Sequence, residues 1–291
     1  MRIAIGLGGH ALPDGTGSDE NWITVARALS PLLREHQVLL THGNGPQVGN
    51  LVENNPDASL DQATAATAGW IGYRLERALR SCLPGARFAT LLTLTQVDPN
   101  DRRAAKPIGR VMSHQEAAAL RSRGCDFAPH HGGVRRVVRS PQPERILNSN
   151  IIAMLMDHGV VVICGGGGGI PIHRKSATEL CGVECVIDKD HTTAVIASSV
   201  KADRVMLLTD VTAVAEEWPA NDSTRRFRFV PPQVLSSRSF AQGSMAPKVA
   251  AACDFVTATG GVAHIGAIAE AGAVLRGERG TTIGSGPLAY Y

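Results

Sequence analysis

The chain has 291 residues, 44% hydrophobic and 19% charged, with a formal net charge of +3 at neutral pH. That balance, at zero mean hydropathy, excludes a disordered chain, a coiled coil and a collagen-like repeat, and fits one large domain or two closely joined lobes. The small, scattered charge and an aromatic content of 4% give no footing for nucleic acid.

The first residues, Met1 to Leu7, read as a strand with no h-region and no cleavage site, so a cytoplasmic location is expected. No uncharged apolar run approaches the ~18–20 residues that span a bilayer. The best candidate, Ile151 to Ile163, is interrupted by Asp157, His158 and Gly159. Six cysteines at 82, 125, 164, 181, 185 and 253 form no CxxC pair. Reduced structural thiols are expected rather than disulfides or zinc ligands.

In chain order, Arg2–Leu7 is a buried-type strand ending in Gly8-Gly9. Ser18 then stands where it can cap a helix whose apolar face is Ile23, Ala26, Leu29 and Leu33. Gln37–Thr41 is a second strand, followed by the loop His42-Gly43-Asn44-Gly45-Pro46. Gln62 to Leu83 reads as a long helix and Arg87–Leu94 as a third strand. Asp98 to Pro143 has a different texture. Its breakers Asp98-Pro99-Asn100-Asp101, a capping box of Ser113 with Glu116, the basic strand Arg135–Arg139 and the exit Ser140-Pro-Gln-Pro143 mark an excursion from the sheet. Alternation resumes at Val160–Cys164, Arg204–Leu208 and Val262–Gly266. Short apolar strands alternating with helices predict an α/β fold, its sheet covered on both faces.

Three glycine-rich segments each follow a candidate strand: Gly6-Leu7-Gly8-Gly9, the loop at 42–46, and Gly165 through Gly169 with Ile170-Pro171. Glycine lets successive N–H groups converge on an anion, and in a parallel sheet such loops lie at the ligand-binding carboxyl edge. None fits GxxxxGK[ST], and Gly6-Leu7-Gly8-Gly9-His10-Ala11 lacks the third glycine of a dinucleotide fingerprint. The cations point the same way. Only 5 lysines stand against 24 arginines. Lys106, Lys189 and Lys248 lie in turns framed by Pro, Gly or Asp, whereas Lys175 and Lys201 have ordinary surface surroundings. A compact ammonium in an ordered turn suits a phosphoryl oxygen, and cations with N–H cradles but no nucleophile–base pair suit phosphoryl transfer. Adjacent His130-His131 read as solvated, and the isolated Trp22, Trp70 and Trp218 as packing residues. Arg135, Arg136 and Arg139 form either a phosphate contact or an exposed basic strand.

With these residues in view, the chain resembles the carbamate kinases of the amino acid kinase superfamily over nearly its whole length. The resemblance is carried by Gly8-Gly9, Thr41-His-Gly-Asn-Gly-Pro-Gln-Val-Gly49, Trp70-Ile-Gly-Tyr73, Val97-Asp-Pro-Asn-Asp101 and Lys106-Pro-Ile-Gly109. It continues in Arg135-Arg-Val-Val138, Ser140-Pro-Gln-Pro143, Gly165–Pro171 and Val186-Ile-Asp-Lys-Asp190. It closes with Leu208-Thr-Asp-Val211, Gly243-Ser-Met-Ala-Pro-Lys248 and Ala258-Thr-Gly260.

The resemblance implies a three-layer αβα sandwich with a mainly parallel open sheet and a small protruding subdomain. It places a substrate lobe at 1–202, carrying a lid at about 98–143, and a nucleotide lobe at 203–291. It implies ATP-dependent phosphorylation of carbamate, or ATP synthesis from carbamoyl phosphate and ADP, with magnesium carried by the nucleotide and a homodimeric assembly. Lys189 and Lys248 would contact the transferring phosphoryl, Asp190 would orient them, and Lys106 would reach in from the subdomain. Gly8, Gly9, Gly45 and Gly166 would supply backbone donors, with His10, Asn44 and Gly167 beside them. Asp210, Val211, Met245 and Lys248 would form the nucleotide side.

Departures from the family pattern are His10 for Asn, Thr212 and Ala215 for Asp and Tyr, and Ala246 for Gly. His10 bears on substrate or rate, and Thr212 and Ala215 on nucleotide packing. Ala246 is strained only at positive φ. Two other readings remain: an acid kinase for another small carboxylate or phosphonate-like anion, and a non-catalytic sensor of the same fold. Retention of Lys106, Lys189, Asp190 and Lys248 argues against the sensor.

Overall fold

Strands buried on both faces alternate their side chains between two cores. In Arg204–Thr209, Val205 and Leu207 enter one core and Met206 and Leu208 the other. The computed structural model describes residues 1–8, 12, 18–55, 57–102, 104–221, 223–240 and 244–291. Among them the chain runs β1 (Arg2–Leu7), α1 (Asp19–Glu35), β2 (Gln37–His42), α2 (Gly45–Asn54), α3 (Leu60–Cys82), β3 (Arg87–Thr90) and β4 (Leu94–Val97). The excursion follows as β5 (Ala105–Met112), α4 (His114–Arg121), β6 (Asp126–His130) and β7 (Gly133–Arg139). Next come β8 (Pro143–Ile146), α5 (Ser149–Asp157), β9 (Val160–Ile163), β10 (Ile170–Arg174), β11 (Leu180–Gly182), α6 (Lys189–Ser199) and β12 (Arg204–Thr209). The last part is β13 (Phe227–Val230), α7 (Pro232–Ser236), α8 (Met245–Thr259), β14 (Val262–Ala267), α9 (Ala271–Leu275), β15 (Thr281–Ile283) and β16 (Ala289–Tyr290).

The main sheet has the order β16-β13-β15-β14-β12-β1-β2-β9-β3. From β3 to β14 every pairing is parallel, and antiparallel pairs occur only where β15 meets β14 and β16 meets β13. On one face α1, α3 and α9 bury Trp22, Leu29, Ile71, Leu75 and Val274. On the other, α5, α6 and α8 bury Ile152, Ile196, Val249 and Phe255. This is the expected three-layer αβα sandwich with a mainly parallel sheet. The sheet runs unbroken across residues 202–203, because β12 pairs directly with β1.

The expected strand Arg87–Leu94 is divided. Thr90 ends β3 beside Ile163, and Leu94 opens β4 in a second sheet of order β11-β10-β4-β8. Between them Thr93 leaves the strand and accepts the Gly165 N–H on its hydroxyl at 2.9 Å. That sheet is the stem of the excursion. β4 and β8 are antiparallel partners with Val97 opposite Pro143, so the chain leaves on one and returns on the other. The excursion is a sheet β5-β7-β6 with α4, cored by Met112, Ala117 and Val134.

The Ser113–Glu116 capping box is complete, whereas Ser18 flanks α1 without a side-chain capping bond. Trp22 is buried, but Trp70 and Trp218 are exposed and do not pack as expected. His130 and His131 are exposed at the turn between β6 and β7. The Arg139 guanidinium donates to the carbonyls of Pro99 and Glu184, so it ties the subdomain to its stem. All six cysteines are free thiols.

Candidate active site

The carboxyl ends of β1, β2 and β12 face the first turns of α6 and α8. Asp188 caps α6, its Oδ1 accepting the N–H groups of Asp190 at 2.8 Å and His191 at 3.3 Å. Lys189 and Asp190 are thereby fixed in the first turn. Ser244 precedes α8 and Lys248 lies one turn in. The Asp190 carboxylate bridges the helices, accepting Lys189 on Oδ1 and Lys248 on Oδ2, the latter at 3.1 Å. Asp188 is also shared, since its Oδ2 accepts the Lys106 ammonium from β5 at 2.8 Å. The four residues expected to be catalytic therefore stand together, with Asp188 as a fifth. Sequence reasoning missed Asp188, although its place just before the helix in Val-Ile-Asp-Lys-Asp is an N-cap signature.

Three ammonium groups share two carboxylates at the positive ends of two helices, which leaves net positive character where phosphoryl oxygens can sit. Burial pushes the Lys189 ammonium down to about 8; Asp190 opposes that shift and Lys248 adds to it. Burial would raise the Asp188 carboxyl, but Lys106, His191 and Lys189 hold it well below the usual carboxylate range.

The glycine loop closes the site beside β9. Gly165, Gly167, Gly168 and Gly169 have positive φ, and Gly166–Gly168 form one 3₁₀ turn. The turn's first bond is from Gly168 N–H to Gly165 O at 3.0 Å, so the Gly166 and Gly167 amides precede it with no partner inside the turn. The loop is pinned where Gly168 O accepts the hydroxyls of Thr95 at 3.1 Å and Thr192 at 2.8 Å. A Cβ on Gly167 would lie 2.2 Å from the Asn44 amide, and one on Gly166 2.6 Å from the buried His42 ring. Asn44 is held by Thr67 at 2.9 Å. Burial lowers His42 to about 4, so it stays neutral beside the cluster.

Gly45 opens α2, at the end of the loop expected over 42–46; its N–H is one of the helix-start donors without an intrahelical acceptor. Gly8 departs from expectation. Its N–H donates to Leu208 O at 2.7 Å, so the sheet has already taken this donor. A Cβ there would stand 3.0 Å from that same oxygen, which gives Gly8 a packing role instead. Gly9 and His10 lie outside the described residues.

A second cleft, of about 250 Å³, opens past the end of β12. Val211 and Met245 line it with Thr212, Ala215, Trp218 and Phe240. Asp210 precedes it, exposed, its carboxylate accepting the Thr209 hydroxyl at 2.9 Å. Trp218 is 61% exposed at the mouth, which the sequence reading missed by assigning it to packing. Ala246 has the ordinary helical backbone of α8, without the strain considered for it.

Comparison with known proteins identifies the family. The profile of the Amino acid kinase family matches residues 1–266. Carbamate kinase from Rhizobium meliloti is 43% identical, with 98% of this chain and 94% of that protein covered. Carbamate kinase from Haemophilus influenzae is 37% identical over 97% of this chain and 96% of that protein. The solved carbamate kinase from Giardia lamblia bound to AMP-PNP superposes with a TM-score of 0.84 at 32% identity, covering 97% and 98% of the two chains. A profile spanning most of the chain, with full-length relatives and solved structures of the same fold, places this protein in the amino acid kinase family, among the carbamate kinases.

Proposed function

We propose that this enzyme transfers the γ-phosphoryl group of ATP to carbamate and, in reverse, the phosphoryl group of carbamoyl phosphate to ADP. The observation that carries this reading is the sharing of Asp188 and Asp190 by Lys106, Lys189 and Lys248 beside the glycine loop. A carbamate oxygen is already anionic and needs no base. The barrier is repulsion between two anions, and fixed ammonium groups and amides offset it.

In this reading Lys189 and Lys248 neutralise charge on the transferring phosphoryl, and Asp190 orients both. Lys106 adds a third charge from the subdomain. Gly166, Gly167 and Gly45 offer amides, Asn44 shapes the loop, and Gly9 and His10 complete the substrate side. Val211, Met245 and Asp210 form the nucleotide side, and the AMP-PNP complex of the Giardia relative supports nucleotide binding as such. The division into a substrate lobe at 1–202 and a nucleotide lobe at 203–291 follows from these placements. Magnesium would enter with the nucleotide and neutralise phosphate charge, because the carboxylates of Asp188 and Asp190 are engaged by lysines. Among the described residues no helix is long and apolar enough to cross a membrane; cytoplasmic location and a homodimer belong to the same proposal.

Purified protein given carbamoyl phosphate, ADP and magnesium should form ATP. No ATP formation, with other small carboxylates accepted from ATP instead, would replace carbamate as substrate. His10→Asn probes the family departure: an unchanged pH–rate profile and substrate ranking would show that His10 takes no part.

A further inference from the structure

β12 leads toward the nucleotide side at its carboxyl end, and a different cleft lies at its beginning. This second hollow, of about 440 Å³, is lined by Arg204, which opens β12, with Arg228, Arg276, His264 and Thr282. The strand between Arg204 and Asp210 is six residues long, or roughly 20 Å, so the cleft does not overlap the lysine cluster. Its floor is a row across three strands. His264 pairs in register with Thr282, and Thr282 with Phe229.

Among the described residues, the cations of this cleft are only partly balanced. Arg276 is taken by Glu278 through two bonds of 2.9 and 2.8 Å. Among the described residues nothing engages the guanidinium of Arg204 or Arg228. Between them the floor holds an orphan. His264 is 2% exposed, its Nδ1 lies 3.2 Å from the Thr282 hydroxyl, and its Nε2 is buried with no partner. Burial and the adjacent Arg204 push this imidazole down to about 4, so it is neutral at physiological pH. Whichever ring nitrogen carries the proton, Nε2 is a buried polar atom without a partner among the described residues, a condition native structures rarely leave uncompensated. Beside these groups Phe229, Leu275 and Pro287 form an apolar wall.

Guanidinium forks match the oxyanion geometry of phosphate and carboxylate, and an apolar wall beside them favours a ligand with a carbon body over a bare inorganic ion. The geometry points to a second ligand site here, for a small organic dianion whose charged head lies on Arg204 and Arg228 and whose apolar body rests on Phe229, Leu275 and Pro287. Neither the proposed reaction nor the nucleotide cleft uses any of these residues.

The test is calorimetric titration of the full chain, saturated with AMP-PNP and magnesium so that the nucleotide cleft is filled. Phenyl phosphate and benzylsuccinate serve as probes, and whichever binds identifies the head group as phosphate or dicarboxylate. One molecule per chain is expected. Arg228→Gln, at an exposed position, and Arg204→Gln should each weaken binding at least tenfold. Both should leave ATP formation from carbamoyl phosphate within twofold of wild type, which also shows that they fold. Inorganic phosphate should bind at least tenfold more weakly than phenyl phosphate. Absence of binding by both probes, or equal affinity in wild type and Arg228→Gln, would overturn the site. Equal affinity for inorganic phosphate and phenyl phosphate would overturn its assignment to an organic ligand.

Discussion

Lys189, Asp190 and Lys248 are each at most 8% exposed, in helices that cover the main sheet. Lys106, from the protruding subdomain, keeps 28% of its side chain in solvent and reaches the site through one ion pair to Asp188. The subdomain otherwise meets the main body along β5 and its exit: Ile108 packs among Val48, Val52 and Val186, Gly109 lies against Gly49, Arg110 pairs with Glu53 of α2, and Arg139 O accepts the Val186 N–H. The contrast separates two ways of supplying positive charge. One is preorganised, because packing and a shared carboxylate hold both ammonium groups before substrate arrives. The other is brought by an element outside the main sheet, and we propose that it opens and recloses as a lid.

The largest effect should follow from breaking the preorganised half. Lys189→Ala and Lys248→Ala should each lower kcat about 10²–10³-fold, the usual cost of one charge stabiliser, with the circular dichroism spectrum retained. Unchanged turnover in either variant would remove that lysine from the mechanism.

The pH dependence should separate the halves further. With Lys189 lowered to about 8 by burial, its charged form is lost as pH rises through that value. Turnover should therefore fall above pH about 8, approaching tenfold per pH unit. Stability carries the opposite sign. A buried lysine with a depressed pKa is destabilising while charged, and that cost fades as pH rises from about 8 toward its ordinary range. An alkaline loss of rate that is reversible, without a fall in Tm, is the expected pattern. Lys189→Arg should be slower but lack this alkaline limb, and a limb unchanged in that variant would assign it elsewhere.

A smaller effect is expected from the subdomain half. A Cβ on Gly49 would fall 2.0 Å from the Gly109 backbone, so Gly49→Ala must push β5 off α2. Overpacking of this kind costs about 1–3 kcal/mol. Here it should appear as roughly tenfold weaker substrate use, mainly in KM, with little change in Tm. Lys106→Ala should do the same. If Gly49→Ala lowers Tm sharply and leaves KM alone, the contact is structural and has no role in closure.

Much of this was legible in the sequence because it is written in local chemistry. The strands Arg2–Leu7 and Arg204–Thr209 announce themselves as continuous apolar runs, and Lys106, Lys189 and Lys248 stand out against an arginine-rich background. What was not legible depends on long-range pairing. The Gly8 amide reads as a free donor until Leu208 is brought beside it by β12. The run Arg87–Leu94 reads as one strand, because nothing local shows that Thr93 must leave it to hold Gly165. The helix α2 hid behind Gly45-Pro46, which is as good a helix start as a turn. The cleft of Arg204, Arg228 and His264 joins residues from three strands and no motif.

The smallest effect concerns how firmly the subdomain holds its own shape. Its helix α4 has eight residues and buries only Ala117, so its amphipathic face contributes little and its start matters more than usual. There Ser113 Oγ accepts the Glu116 N–H at 3.2 Å, and the Glu116 carboxylate returns to the Ser113 N–H at 2.8 Å. Glu116 also takes Arg110 from β5 at 2.8 Å, linking the cap to the strand that carries Lys106. The Ser113 N–H, the Ser113 hydroxyl donating to the same carboxylate at 2.8 Å, and Arg110 hold the Glu116 carboxyl down at about 2, so the box persists across the range in which the enzyme would work. Ser113→Ala removes the hydroxyl and leaves the Glu116 N–H without its partner. Hydrogen exchange of the α4 amides should then quicken severalfold in the free protein, while β12 and α6 stay as protected as before. Nucleotide with carbamoyl phosphate should slow exchange across residues 98–143 in both proteins, since closure brings the subdomain onto the fixed half. Equal exchange of that segment with and without ligands would show that Lys106 sits at its post permanently, and the two halves of the site would then be one preorganised unit.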